Sequence, residues 1–478
     1  MPVVPYWLPG IYHGISLLIN PTGFLYGIIK EYGWERPLQV KAGPINCTLT
    51  ANPSHIQEIF KSRFLSAKSI TRISAKNLLD IPSGIMPFYD ADDSGMAAEP
   101  KKGSQTAQHN RILYHQTHSA QKYLAALTSG PWPSGEEWVE YPDLYAFLQM
   151  TVAGANVEAM MGSTLLEVNP GLMEHFWRAK RNAPTYFRGW PRWLVPTAFR
   201  ERERVVDAIE KWHTYAFKHG SVTETGARDP DWEPIFGSRY AKARLQYMLK
   251  MEPLTARVRA QEDWGAYVRS LLTMLSSANG NTAPSAFCLA SRLSSEVDHC
   301  ISADGDIIID EIAAQPLLES AYMEVLRLRV SILVSRMVEF GDVKFSGYTI
   351  RRGELVFMPT DGVHFSEDAW AQAGRPSTGK SLREFDAERF LVASDDSDDD
   401  GTGGLAGLWI PFGGGERMCP GRHLAKLEII LTYAALFSKF DLELGAVDAG
   451  SVQCDMKFAP FGALPPNRKV PFRIRRKQ

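Results

Sequence analysis

The chain has 478 residues, 45% hydrophobic and 22% charged, with 12 Trp, 17 Tyr and 23 Phe, which is enough apolar surface to bury a large core and excludes global disorder. A formal net charge of -2 without a long basic run excludes a nucleic-acid footprint. Five cysteines, at positions 47, 288, 300, 419 and 454, are odd in number and lack C-x-x-C spacing, which excludes a disulfide framework or zinc ribbon and points to a reducing compartment.

In chain order, Met1-Pro2 runs directly into Val3-Val4-Pro5-Tyr6-Trp7-Leu8-Pro9-Gly10, with no room for the charged and apolar regions of a signal peptide. The stretch Ile15 to Ile29 is apolar, but Pro21, Gly23 and Gly27 interrupt it, and it is shorter than the roughly 20 residues of a spanning helix. It reads as an amphipathic or buried helix. Pro37 to Ala42 and Ile45 to Thr50 are extended runs joined by Gly43-Pro44, a turn dipeptide, so a small hairpin is expected, followed by a helix over Pro53 to Lys61. Asp90 to Gln108 is rich in Asp, Ser, Gly, Ala and Lys and reads as an exposed loop before a helix beginning near Asn110.

Tyr141 to Lys250 is mainly helical in pattern, broken by an aromatic segment from Phe176 to Trp193 and a turn-rich stretch from Gly220 to Gly237. From Glu262 to Glu296 an apolar helical pattern runs for about nine turns; Gly280 and Pro284 in its middle predict a kink, because proline removes one backbone bond. After a helix holding Glu324 and Arg327, the segments Val338 to Phe345, Tyr348 to Arg351 and Glu354 to Met358 alternate in the β manner. The acidic run Ser394 to Asp400, followed by Gly401, Gly403 and Gly404, reads as a solvated surface insertion.

The most specific pattern is Phe412-Gly413-Gly414-Gly415-Glu416-Arg417-Met418-Cys419-Pro420-Gly421, which fits F-x-x-G-x-R-x-C-x-G at every specified position. A lone cysteine at a glycine-rich turn is ordinarily a small buried hydrophobe; these neighbours point instead to a metal-bound thiolate. Such an anion needs backbone N–H groups turned towards its sulfur, and glycines permit that loop. A second pair, Glu324 and Arg327, has i, i+3 spacing that puts both charges on one helix face, as in many solvated surface pairs.

The pattern at Cys419 resembles that of the cytochrome P-450 family, haem-thiolate monooxygenases, and the resemblance extends upstream. Glu324 and Arg327 resemble the family's E-x-x-R, and Phe385-Asp386-Ala387-Glu388-Arg389-Phe390 its F-x-P-x-R-F, with Ala387 where proline is usual. The resemblance implies a mainly α fold with small β sheets, a single domain over residues 1–478, and a long kinked central helix over the haem. It implies Cys419 as the axial ligand of haem b and Phe412, Gly415 and Gly421 as cofactor-contacting residues. Glu324, Arg327 and Arg389 become a supporting cluster. Arg417 is spaced to bridge one haem propionate, and Arg336, nine residues after Arg327, matches a position that reaches the other, although a surface arginine fits there too. Arg111 and His115 stand where the family contacts the propionates from a helix, with His118 as a substitute, although the usual W-x-x-x-R is absent.

Ala278-Asn279-Gly280-Asn281-Thr282-Ala283-Pro284 resembles the family's oxygen-binding A-G-x-(D/E)-T. Thr282 supplies the proton-relay alcohol, while Asn281 takes the place of the acid and cannot ionise, so it would orient water or substrate oxygen; alternatively it bonds the kinked backbone. The Asn-Thr-x-Pro arrangement resembles the branch of sterol 7α- and 12α-hydroxylases and prostacyclin synthase, and a fungal secondary-metabolism member fits it. Three readings follow: a monooxygenase, an isomerase or dehydratase that uses no O2, and a non-catalytic haem protein. Mapped on the family, the substrate regions are Ser66 to Phe88, Phe176 to Leu194, Ser276 to Thr282, Val330 to Ser335 and Pro460 to Leu464. Ala278, Ile332, Leu333, Val334 and Phe461 imply a bulky apolar substrate such as a terpenoid, steroid or polyketide.

The resemblance also implies O2 and electrons from NADPH through a flavoprotein reductase, which Arg422, Lys426 and Lys122 could receive on a positive face unless they are simply solvated. A monomer without nucleic-acid partners is expected. Trp177, Tyr186, Phe187, Trp190 and Trp193 alternate with Arg178, Arg181, Arg188 and Arg192, a composition suited to a membrane interface or to core packing. The proline-rich opening resembles the hinge after a membrane anchor in eukaryotic members, which implies the cytoplasmic face of the endoplasmic reticulum if an anchor was removed and the cytoplasm otherwise.

Overall fold

The computed structural model describes residues 1–6, 9–80, 105–224, 228–239, 241–242, 245–246, 300–302, 306–375, 379–391, 405–415, 418–419, 421–445 and 451–477, with 75, 79 and 105–116 described by backbone alone. The principal helices are α1 (Gly14–Ile19), α2 (Pro21–Tyr32), α3 (Pro53–Lys61), α4 (Gln105–Thr128), α5 (Leu144–Met161), α6 (Leu172–Arg181), α7 (Pro196–His219), α8 (Pro316–Arg329), α9 (Thr360–His364) and α10 (Arg422–Lys439). Helices with small sheets make up the described fold. Its internal contacts group the chain into two units, one of Met1–Ile73, Glu319–Cys419 and Cys454–Pro465, the other of Ser74–Leu318, Pro420–Gln453 and Pro466–Gln478.

The first unit is built on a mixed sheet of β1 (Leu38–Ala42), β2 (Ile45–Leu49), β3 (Leu65–Ser66), β4 (Val330–Val338), β5 (Leu355–Pro359) and β6 (Phe461–Ala463), in the order β1-β2-β5-β4-β6, with β3 paired to β4. Gly43 has φ +58° and turns the first hairpin, so that Ala42 faces Ile45, a conformation glycine adopts without a Cβ penalty. Two helices start alike, on Asn-Pro: the Asn20 side chain accepts from Gly23 N–H, and that of Asn52 accepts from Ser54 and His55 N–H. Asparagine satisfies N–H groups that the first turn leaves free, and proline brings its fixed φ to the first helical position. Leu25 and Ile28 of α2, with Ile56 and Ile59 of α3, bury against Val40, Leu49, Val356 and Met358 of the sheet, each side chain stabilising the fold by about 1.5–3 kcal/mol.

In the second unit α4 packs on α5 and α10. Tyr123 Oη lies 2.5 Å from Thr432 Oγ1, and Asn156 Nδ2 donates to Glu428 Oε2 at 2.9 Å, so these buried polar groups bond across the bundle. Strands Val139–Tyr141, Phe440–Leu444 and Phe472–Arg476 form an antiparallel sheet around the last of these.

The hairpin and α3 form where expected. Ile15 to Ile29 is two helices, of which α1 buries none of its residues. The helix placed near Asn110 starts at Gln105. The aromatic segment taken as a break is helical as far as Phe187, in α6 and Ala183–Phe187, because Leu172, Met173, Phe176 and Trp177 form a buried stripe at helical spacing. The strand expected over Val338 to Phe345 is divided: Val338 ends β4, which starts at Val330, and Val343–Phe345 is a separate strand paired with Tyr348–Ile350; β4 buries residues on both of its faces, which hides the alternation. Among the described residues, no helix is long and apolar enough to cross a membrane. The expected long helix from 262 to 296 and the loops over 90–104 and 394–400 lie outside the described residues.

Candidate active site

The loop that carries Cys419 is shaped from three sides within the first unit. Ahead of it, Leu408 and Ile410 are buried in the core, Trp409 Nε1 donates to the Met323 carbonyl of α8 at 3.1 Å, and Ile410 N–H donates to His364 Nε2 at 3.2 Å. Gly413 and Gly415 then adopt φ of +70° and +67°, conformations that side chains with a Cβ resist. Gly414 sits where any Cβ would overlap the Phe60 ring, and a Cβ on Gly415 would stand 2.6 Å from the Phe60 carbonyl oxygen. The end of α3 therefore requires glycine at both positions.

From the sheet, Arg336 is buried on β4 and donates through Nη2 to the Gly414 carbonyl at 2.7 Å and through Nη1 to its neighbour Ser335 at 3.0 Å. Its guanidinium carbon stands 5.6 Å from the centre of the Phe60 ring. Arg336 is thus a buried loop support and not a surface arginine. Inside the loop, Cys419 N–H donates to the Phe412 carbonyl at 3.0 Å and Met418 N–H to that of Gly415 at 3.0 Å, which closes the turn. Cys419 ends it as a partly exposed thiol outside any disulfide. A soft sulfur donor on a backbone-shaped glycine loop fits the axial site of a haem iron.

Behind the loop lies the charge cluster. Arg327 binds Glu324 with both edges of its fork, Nε to Oε2 at 2.7 Å and Nη2 to Oε1 at 2.9 Å, and its Nη1 donates to the His364 carbonyl at 2.9 Å. Arg389 Nε reaches Glu324 Oε1 at 3.0 Å and Asp386 N–H the same oxygen at 3.1 Å. The remaining bonds of Arg389 go to the Ser381 and Glu384 carbonyls. Ala387 in place of proline has not loosened this arrangement. The bland alternative of a solvated helix pair is excluded by burial, since Glu324 and Arg327 are both 0% exposed.

Ile332 stands opposite Phe461 across β4 and β6. Ile332 and Leu333 are half-buried, whereas Val334 belongs to the hydrophobic core. In the second unit, Gly421 is the N-cap residue of α10. Lys122 pairs with Asp229 at 2.8 Å and His118 lies 3.2 Å from the same oxygen, so Lys122 is engaged with a carboxylate and its grouping with Arg422 and Lys426 as a free positive face is corrected. Ala278, Asn281, Thr282 and Arg417 lie outside the described residues, as do the side chains of Arg111 and His115.

Three residues escaped the sequence reading. Phe60 and His364 carry no motif, and only packing reveals them. Tyr322, on α8, has a buried hydroxyl without a hydrogen-bond partner among the described residues; burial first, then the neighbouring Cys419 and Glu319, push its pKa upward.

Comparison with known proteins places these features in context. The family model described as Cytochrome P450 matches residues 289–471. Cytochrome P450 monooxygenase efuG of Hormonema carpetanum is 28% identical over 526 residues, covering 100% of this chain and 90% of the relative. Cytochrome P450 monooxygenase fsoE of Humicola fuscoatra is 29% identical over 526 residues, covering 100% and 88%. The solved structure of retinoic acid bound cyanobacterial CYP120A1 superposes with a TM-score of 0.63 at 16% identity and covers 100% of both chains, a likeness of fold.

Proposed function

Because the chain belongs to the cytochrome P450 family and is a monooxygenase of that family, we propose that Cys419 would hold the haem iron through its thiolate and that the enzyme oxidises a bulky apolar small molecule with electrons drawn from NADPH through a reductase. The observation that carries this reading is the Cys419 loop, fixed by Arg336, Phe60 and the paired glycines so that a partly exposed thiol ends it. Haem, when bound, supplies the activation of O2. The chain's own residues do the rest. Arg417 would hold the haem through a propionate, and Arg336 keeps the glycine turn in place. The Glu324-Arg327-Arg389 cluster braces the segment behind it, Thr282 would hold a proton for the substrate side of the site, and Asn281 would orient a water.

Apolar Ile332, Leu333 and Phe461 support a substrate held by shape more than by charge. Exposed Ile15, Leu18 and Ile19 on the first unit, and Trp193, Trp190 and Leu194 on the second, support adsorption to a membrane surface, where indole and aliphatic groups sit between headgroups and acyl chains. On this reading the enzyme works at the cytoplasmic face of the endoplasmic reticulum.

Replacing Cys419 with Ser should abolish the carbon monoxide band of the reduced thiolate-bound protein while a haem Soret band remains, and retention of that thiolate band would refute the ligand assignment. The relatives' names as monooxygenases favour oxygenation over O2-independent rearrangement. Substrate-stimulated NADPH consumption with reductase, lost under anaerobic conditions, is the expected result; anaerobic turnover without reductase would reverse the choice.

A further inference from the structure

His364 joins the charge cluster to the cysteine loop. It is fully buried at the end of α9. Its ring Nδ1 lies 3.1 Å from the Arg327 backbone carbonyl, and its Nε2 lies 3.2 Å from Ile410 N–H. A carbonyl only accepts and an amide only donates, so the tautomer follows: the proton is on Nδ1 and the lone pair on Nε2. The residue is thus held twice to Arg327, because its own carbonyl also accepts from Arg327 Nη1. Burial, followed by the Arg327 charge, pushes the imidazole pKa down to about 3, which keeps the acceptor nitrogen free of a proton.

Ile410 is where the loop leaves the core. Its side chain is buried, and its carbonyl accepts from Gly413 N–H at 3.0 Å, the first bond of the turn that ends at Cys419. A buried amide that loses its acceptor costs about 1–3 kcal/mol, so the segment would shift until the amide found another partner.

We propose that His364 is a positioning residue for the haem ligand: its Nε2 fixes the Ile410 amide, its Nδ1–H ties that anchor to Arg327, and together they hold the Cys419 loop in the shape that keeps the sulfur on the iron. This rests on Cys419 being the axial ligand. The cluster of Glu324, Arg327 and Arg389 braces the loop through this imidazole as well as through Trp409, whose indole N–H donates to the Met323 carbonyl.

Amide side chains can separate the two ring bonds. His364→Gln carries its amide to the reach of Nε2 and keeps an acceptor for Ile410; His364→Asn carries its amide only to the reach of Nδ1 and leaves Ile410 unpaired; His364→Leu removes both. Each holoprotein is reduced, exposed to carbon monoxide and read as the ratio of the thiolate band to the shorter-wavelength thiol band, with haem content and thermal unfolding measured on the same samples. The Gln protein should keep the wild-type ratio, while the Asn and Leu proteins should raise the thiol fraction at least about five-fold, as expected for the loss of about 1 kcal/mol or more of loop anchoring. Equal behaviour of Gln and Asn, or a wild-type ratio in Leu, would overturn the proposal. Amide exchange of the wild-type holoprotein gives a second measurement that needs no variant to fold: Ile410 N–H should exchange only at the rate of global unfolding, and fast exchange overturns the proposal. A wild-type protein lacking the thiolate band would instead refute Cys419 as ligand.

Discussion

Two Glu-x-x-Arg pairs on two helices make nearly the same bond: Glu201 with Arg204 on α7 at 2.8 Å, and Glu324 with Arg327 on α8 at 2.7 Å. Their surroundings differ. Arg204 is 51% exposed and water competes for its charge, so such a pair contributes about 0–1 kcal/mol. Glu324 and Arg327 have lost all their water, and each buried ion costs several kcal/mol in desolvation unless further bonds compensate. They do: one carboxylate oxygen of Glu324 accepts from Arg327, Arg389 and Asp386, and Arg327 also reaches the His364 carbonyl. Spacing sets the bond, and burial with additional partners sets what the bond is worth.

The largest effect should come from Glu324→Ala, which strands two buried guanidinium groups and should cost about 3–5 kcal/mol. Chemical denaturation of the holoprotein and its haem content would read this, and a loss below about 1 kcal/mol would erase the distinction between the two pairs. Arg389→Met should cost less, about 1.5–3 kcal/mol for a lost charged hydrogen bond, because Arg327 still binds Glu324 with two bonds; equality with Glu324→Ala would mean that Arg389 carries the cluster.

Acid should act through buried histidines. Burial pushes His213 down to about 4 and, with the Arg327 charge, His364 down to about 3. Both folded values lie below the unfolded value of about 6.5, so the unfolded chain binds protons first. Stability should be undiminished above about pH 6.5 and fall below it, by up to about 1.4 kcal/mol per pH unit for each ring. Asp361, pushed up to about 6 by burial, works in the opposite sense below pH 6, since its folded form takes up the proton first. Urea midpoints from pH 8 to 5 measure the balance, and His213→Phe should flatten the fall. Last and smallest, Arg204→Ala should change stability by about 0.2–1 kcal/mol, diminishing further at high salt; a loss above about 2 kcal/mol would show that exposure does not govern the comparison.

Local signals made much of the fold legible. Gly43 sets the first hairpin, and Asn52-Pro53 starts α3, because turn and cap chemistry act over a few residues. The order of Glu324, Arg327, Arg389 and Cys419 identified the family, and Arg389 could be matched to Glu324 from motif resemblance alone. Other features had no such signal. Gly414 was legible as a glycine in a loop motif, but the reason it must be glycine is the Phe60 ring, far away in sequence. Arg336 could be a surface or a buried residue until β4 set it beside the Gly414 carbonyl. Lys122 looked free until Asp229 was seen beside it.

The amino-acid order by itself determined the cysteine loop, the spacing of the charge cluster and the capped helix starts, since these depend on backbone conformation and neighbours within a few residues. Tertiary structure alone decided which charges lose their water, which arginine supports the loop and which histidine links the two. Burial and hydrogen-bond partners are properties of neighbours in space, and the electrostatic worth of a group follows from them.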